Sequence, residues 1–155
     1  MAAGIPDHLG SVTPSLTVSP CGEAIEFYER AFGAEEIEPR MTGPDGVVAH
    51  AEIRIGDSVI MLGDEWPDGP TKSPKTLDGS SAAIFIYTDD VDGLWDRAIA
   101  AGCEEVFPLE MQFYGDKGGR VRDPYGHTWG LAQHIEDVSP DEMERRMAQF
   151  YESDD

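Results

Sequence analysis

Two stretches of the chain resemble each other at a fixed separation. FYERAFGAEE, beginning at Phe27, matches LWDRAIAAGCEE, beginning at Leu94, with Arg30 falling on Arg97. Further along, Gly56-Asp57-Ser58 matches Gly126-His127-Thr128 at nearly the same offset. Arrays of short repeats need three or more copies to bury a continuous core, so two copies of roughly 50 residues predict one pseudo-symmetric fold rather than a solenoid. A length of 155 residues agrees, being that of one ordinary domain.

Each copy reads as strand, helix and three strands. VTPSLTV (Val12 to Val18) is an expected strand whose proline belongs at an edge or a strand start. From Glu23 to Phe32, apolar residues recur at helical spacing and Gly33 supplies the stop. Ala34 to Met41 is a weaker strand. Val47 to Ile55 alternates, with Ala49, Ala51, Ile53 and Ile55 on one face and Val48, His50, Glu52 and Arg54 on the other. Gly56-Asp57 then turns the chain into Ser58 to Leu62. The order restarts at Ala82 to Thr88, with a helix capped by Asp89 or Asp90, a strand from Glu104 to Leu109, another beginning at Gly119, and a last one from His127 to His134. The resulting plan is a single domain over 1–155. Module one covers about 12–62, a Gly/Pro-rich linker 63–81, module two about 82–134, and a C-terminal helix about 140–152, announced by Ser139-Pro140-Asp141-Glu142 and striped by Met143, Met147 and Phe150.

Charge excludes several functions. Asp and Glu total 31 against 11 Lys and Arg, a net −20. Such a surface repels phosphate backbones, whose binding depends on Lys and Arg displacing counterions, so neither nucleic acid nor an acidic membrane is an expected partner. The acids are scattered without long runs, as in a solvated, halophilic type of coat, although a cationic ligand would also suit them. Cys21 and Cys103 form neither a disulfide framework nor a CxxC pair, and the opening residues lack a signal-peptide pattern; both point to a reducing, cytoplasmic setting.

The helix AIEFYERAFGAEE from Ala24, the strand GDSVIML and the run GRVRDPYGHTWGLAQH from Gly119, in that order, closely resemble the vicinal oxygen chelate superfamily, in particular the PhnB-like branch of its glyoxalase/bleomycin-resistance proteins. The resemblance implies an α+β fold of two paired β-α-β-β-β modules around a cleft, commonly completed by a second subunit, so a homodimer is expected. In the metal-dependent members, His, Gln or Glu side chains on the first and last strand of each module hold a divalent ion that polarises the substrate. Those positions fall here near Thr13 and Ala83, and near Met61 and Gly130, with Ile60 as an alternative to Met61. None of these side chains is a suitable donor. The usual metal site is therefore expected to be missing, with no cofactor. A protein that binds a small organic molecule without turnover, as the bleomycin-sequestering members do, is the first reading.

Other residues keep a second reading open. His50 and Glu52 project from one strand face with Arg54 next along it, and could serve as general base and orienting carboxylate or as ligands of a displaced Zn, Ni, Mn or Fe site; facing solvent, they are simply the polar side of a strand. A lyase, isomerase or dioxygenase with a rearranged metal site is that second reading, with His127 and His134 as further candidate donors, and a purely structural dimerisation module is the third. Gln112, Phe113 and Tyr114 sit in a loop that either covers a ligand or seals the core. Trp129 belongs to the expected core, whereas Trp66 lies in the linker. Cys21 precedes a helix start, and no sequence neighbour marks it as a nucleophile. GDKGG from Gly115 matches no phosphate-binding loop.

Overall fold

The computed structural model describes residues 4–152, which form two four-stranded sheets. Module one comprises β1 (Ser15–Thr17), α1 (Cys21–Phe32), β2 (Glu35–Thr42), β3 (Val48–Ile55) and β4 (Ser58–Gly63), in the sheet order β1-β4-β3-β2. After a one-turn helix, α2 (Pro74–Leu77), module two repeats the plan: β5 (Ala83–Tyr87), α3 (Val91–Ala101), β6 (Glu104–Met111), β7 (Asp116–Arg122) and β8 (Thr128–His134), in the order β5-β8-β7-β6. The chain continues into α4 (Pro140–Glu152). First and last strands of each module pair in parallel and the others antiparallel, which gives the expected α+β architecture.

The helix registers explain why the copies pack together. In α1, Ala24, Ile25, Phe27, Tyr28, Ala31 and Phe32 are all buried, and Gly33 ends the helix in the left-handed conformation at φ 67°. Arg97 of α3 lies across that end, its Nε 3.4 Å from the Arg30 carbonyl oxygen, so the second copy's arginine supplies a cation where the first helix leaves unpaired carbonyls. Asp90 caps α3 by accepting from the Gly93 amide at 2.9 Å. Between the modules stands Asp123, only 3% exposed. One of its oxygens accepts from the Tyr28 hydroxyl at 2.7 Å and the Trp129 indole at 2.8 Å; the other accepts from the backbone amides of Tyr125 and His127. Trp129 itself is fully buried, as its apolar strand predicts.

Several boundaries differ from the sequence reading for physical reasons. The first strand keeps three residues because Pro14 has no amide to donate, although its carbonyl still accepts from Met61. The linker is more ordered than its composition implies: Ser73 caps α2, and the Glu65 carboxylate accepts from the Ser73 amide at 2.7 Å and the Thr76 hydroxyl at 2.8 Å. Burying no residue of its own, α4 is held by Arg146, which pairs with Glu136 at 2.8 Å, and by Phe150 against Phe113; the Arg146–Glu142 pair at 2.6 Å lies within the helix.

Candidate functional site

Alternation assigns a face to each strand residue. In the first sheet, Ala51, Ile53, Ile60 and Leu62 are buried against the helices, so His50, Glu52, Arg54 and Met61 point the other way. In the second, Val121, Trp129 and Leu131 are buried, which leaves Arg120, Gly130, Phe85 and Tyr87 on the opposite face. Register then fixes two equivalent rows. Ser15, Met61, Glu52 and Ile37 pair across the first sheet; Phe85, Gly130, Arg120 and Phe107 pair across the second.

The two open faces differ in chemistry. On the first, His50 and His8 approach opposite oxygens of Glu52, at 3.2 and 2.9 Å, over a hollow of about 460 Å³ shared with Ile37 and Met41. Burial pushes the Glu52 carboxyl up, but the two histidine hydrogen bonds outweigh it and hold it below the usual carboxylate range. Proximity in sequence gave no sign of His8, which arrives from 44 residues away. On the second, the Arg120 guanidinium lies between the Phe85 and Phe107 rings, 5.4 and 5.7 Å from their centroids. Beyond it the Tyr87 hydroxyl donates to Asp116 at 2.8 Å, and Asp116 also pairs with His134, whose other nitrogen meets Asp137. Those two carboxylates raise the His134 pKa above the ordinary imidazole value. Phe85, Tyr87, Phe107 and Met111 are 47 to 61% exposed, so no described residue covers this apolar face.

A third space, a groove of about 1020 Å³, separates the modules between the segment around Leu9, the β3–β4 turn and β5. Thr13, Met61, Ala83 and Gly130 do not line it, and neither do His50 and Glu52. Within one chain the expected site residues are thus divided among surfaces. Gln112 donates to the Gly118 carbonyl at 3.3 Å, and Phe113 packs edge-to-face with Tyr114 and at a tilt against Phe150, so this loop fastens β7 and α4. His127 binds the Thr17 carbonyl at 3.0 Å and clips the last turn to β1. Trp66 is half exposed in the linker. Cys21 and Cys103 are buried, and burial raises both thiols to about 12, which removes Cys21 as a nucleophile.

The family model for the Glyoxalase/Bleomycin resistance protein/Dioxygenase superfamily matches residues 6–131. The chain belongs to that superfamily. Among relatives of this glyoxalase-type protein, the uncharacterized Mycobacterium bovis protein Mb0911c is 39% identical over 141 residues, covering 89% of this chain and 92% of its own. Protein YjdN of Escherichia coli is 25% identical over 128 residues, 70% of this chain and 84% of its own. Among solved structures, TioX from Micromonospora sp. ML1 superposes with a TM-score of 0.63 at 25% identity, over 81% of this chain and all of TioX.

The first-strand positions opposite Met61 and Gly130 are Ser15 and Phe85, two residues beyond Thr13 and Ala83, and Thr13 lies before β1 altogether, its hydroxyl on the Gly10 carbonyl. Ile60 is buried on the helix side and is no alternative to Met61. Neither the expected positions Thr13, Ala83, Met61 and Gly130 nor the register partners Ser15 and Phe85 offer an imidazole, amide or carboxylate donor. This set does not fit a divalent ion. A Cβ built on Gly130 would run into the Phe85 ring, so that ring occupies the space a donor at 130 would need. Among the described residues no group of three His, Cys, Asp or Glu side chains is arranged to hold a metal.

Proposed function

We propose that this superfamily member binds a small organic molecule on its open sheet faces without the family's metal chemistry, and that it does so as a homodimer. The observation that carries this reading is the row Ser15, Met61, Phe85 and Gly130, which offers no donor set and carries a half-exposed ring instead. Apolar surface with a few placed polar groups is what a small-molecule site requires. The exposure of Phe85, Tyr87, Phe107 and Met111 supports dimerisation, since a partner's sheet set over this face would roof it and enclose a ligand. Placement in the PhnB-like branch, in a reducing cytoplasm, accords with the AIEFYERAFGAEE helix and the two buried free thiols.

A metal-dependent lyase, isomerase or dioxygenase built on His50 and Glu52 is the second reading: His8 arrives beside them, although the three side chains are not arranged to hold a metal. Elemental analysis of protein purified without added metal separates the readings. The binding reading expects substoichiometric Zn, Ni, Mn and Fe, together with a raised unfolding midpoint for at least one member of a panel of small aromatic compounds. One equivalent of metal that disappears in His50→Ala would overturn it in favour of the enzyme.

A further inference from the structure

Arg30, Arg54, Arg97, Arg120 and Arg122 make no ion pair among the described residues, and of these Arg120 is the one set over two aromatic rings. Arg40 pairs with Glu36, and Arg145 and Arg146 pair with Glu142, as an acidic surface leads one to expect. Arg120 takes no carboxylate among the described residues, although it is exposed and sits on a strand beside three more. Its neighbours across the sheet are Phe107 and Gly130, and the next residue on its own face is Arg122, likewise without an ion pair among the described residues. Two aromatic faces hold the guanidinium in place, while its nitrogen donors keep their hydrogen-bonding capacity for something else.

Around that cation the surface is largely apolar, with Asp116 and Arg122 farther along the same strand. Gly118, Gly130 and Ala132 form a floor of small residues, with Phe85 and Tyr87 along one side and Phe107 along the other. A positioned guanidinium presents a fork that matches a carboxylate in bidentate fashion, and the rings beside it match a flat hydrophobic body. We propose that the open face of the second sheet is a binding site for an aromatic or otherwise flat organic carboxylate, with the carboxylate on Arg120 and the apolar body over Phe85, Tyr87 and Phe107. This inference rests on the small-molecule-binding reading and gives it a ligand class. It also reverses the expectation drawn from the net charge, since local complementarity at Arg120 selects an anion where the whole surface would attract a cation.

The test uses the full chain and three probes of one shape: naphthoate, naphthalenemethanol and naphthylmethylammonium, titrated calorimetrically at neutral pH. Naphthoate is expected to bind roughly tenfold or more tightly than the neutral alcohol, and Arg120→Gln to remove that advantage while leaving the alcohol's affinity unchanged. Arg120→Lys, which keeps the charge and loses the fork, should recover part of it. Equal or tighter binding of the ammonium probe overturns the anion assignment and leaves small-molecule binding standing. Unchanged naphthoate affinity in Arg120→Gln overturns it as well, showing that Arg120 only shields the two rings. If none of the three probes binds, the proposal falls, while the broader reading stands or falls on the compound panel.

Discussion

The Tyr28 hydroxyl, on the helix of one module, donates a 2.7 Å hydrogen bond to Asp123, in the last turn of the other. Both groups are buried, and burial together with the adjacent carboxylate holds the Tyr28 phenol well above its ordinary pKa. The bond therefore joins a neutral donor to an acceptor that three other donors already solvate. Tyr28→Phe should cost about 1–3 kcal/mol in chemical denaturation, the range for taking one partner from a buried charged acceptor. Asp123→Asn should cost more, because either orientation of the amide turns its NH2 toward two existing donors. A smaller loss in Asp123→Asn than in Tyr28→Phe would refute the node.

Gly130 and Phe85 make a second coupled pair. Gly130→Ala forces the ring aside and off Arg120, with an expected destabilisation of about 1–3 kcal/mol, as for other overpacked sites. In a Phe85→Ala background the same change should cost almost nothing. A double-mutant cycle measures the difference, and additive costs would show that the ring does not fill the space above residue 130.

Glu65 ties the linker to α2, and the amide and hydroxyl of Ser73, with the Thr76 hydroxyl, lower its pKa to about 2. A carboxyl depressed in the folded state contributes stability that is present above its unfolded value, about 4.3, and is lost as pH falls through the folded value. The difference in unfolding midpoint between the wild type and Glu65→Gln should therefore be constant from neutral pH to about 5 and shrink between there and pH 2. A difference independent of pH over that interval would count against the bond.

Net charge of −20 predicts self-repulsion that salt screens, the Debye length being about 10 Å at 0.1 M. Thermal unfolding should move upward as KCl is raised toward molar concentrations. Indifference to salt would show that the acids are already balanced by local pairs such as Lys117 with Asp92.

Much of the fold could be read from the chain because its cues are local. Apolar spacing in Glu23 to Phe32, the glycine stop at Gly33 and the alternation through His50, Glu52 and Arg54 all act within a few residues. The site was harder because it depends on register. One proline cuts the first strand to three residues, and the cross-strand partners of Met61 and Gly130, Ser15 and Phe85, are fixed by pairing between distant strands. His8 reaches Glu52, and Phe85 and Phe107 reach Arg120, only through tertiary pairing, for which no spacing rule exists. A signal for Arg120 was nonetheless present: of few cations in an acidic chain, it stands in a strand with glycines before it and no acid within three residues on the N-terminal side.

The Phe85 ring above Gly130 also bears on how such a surface can change over time. A donor introduced at 130 meets the ring, and a donor introduced at 85 gains no partner while 130 remains glycine. The first step also disturbs the ring that braces Arg120. Point mutation from this sequence thus meets a local epistatic barrier to any side chain at 130, built from one ring and one missing methyl group.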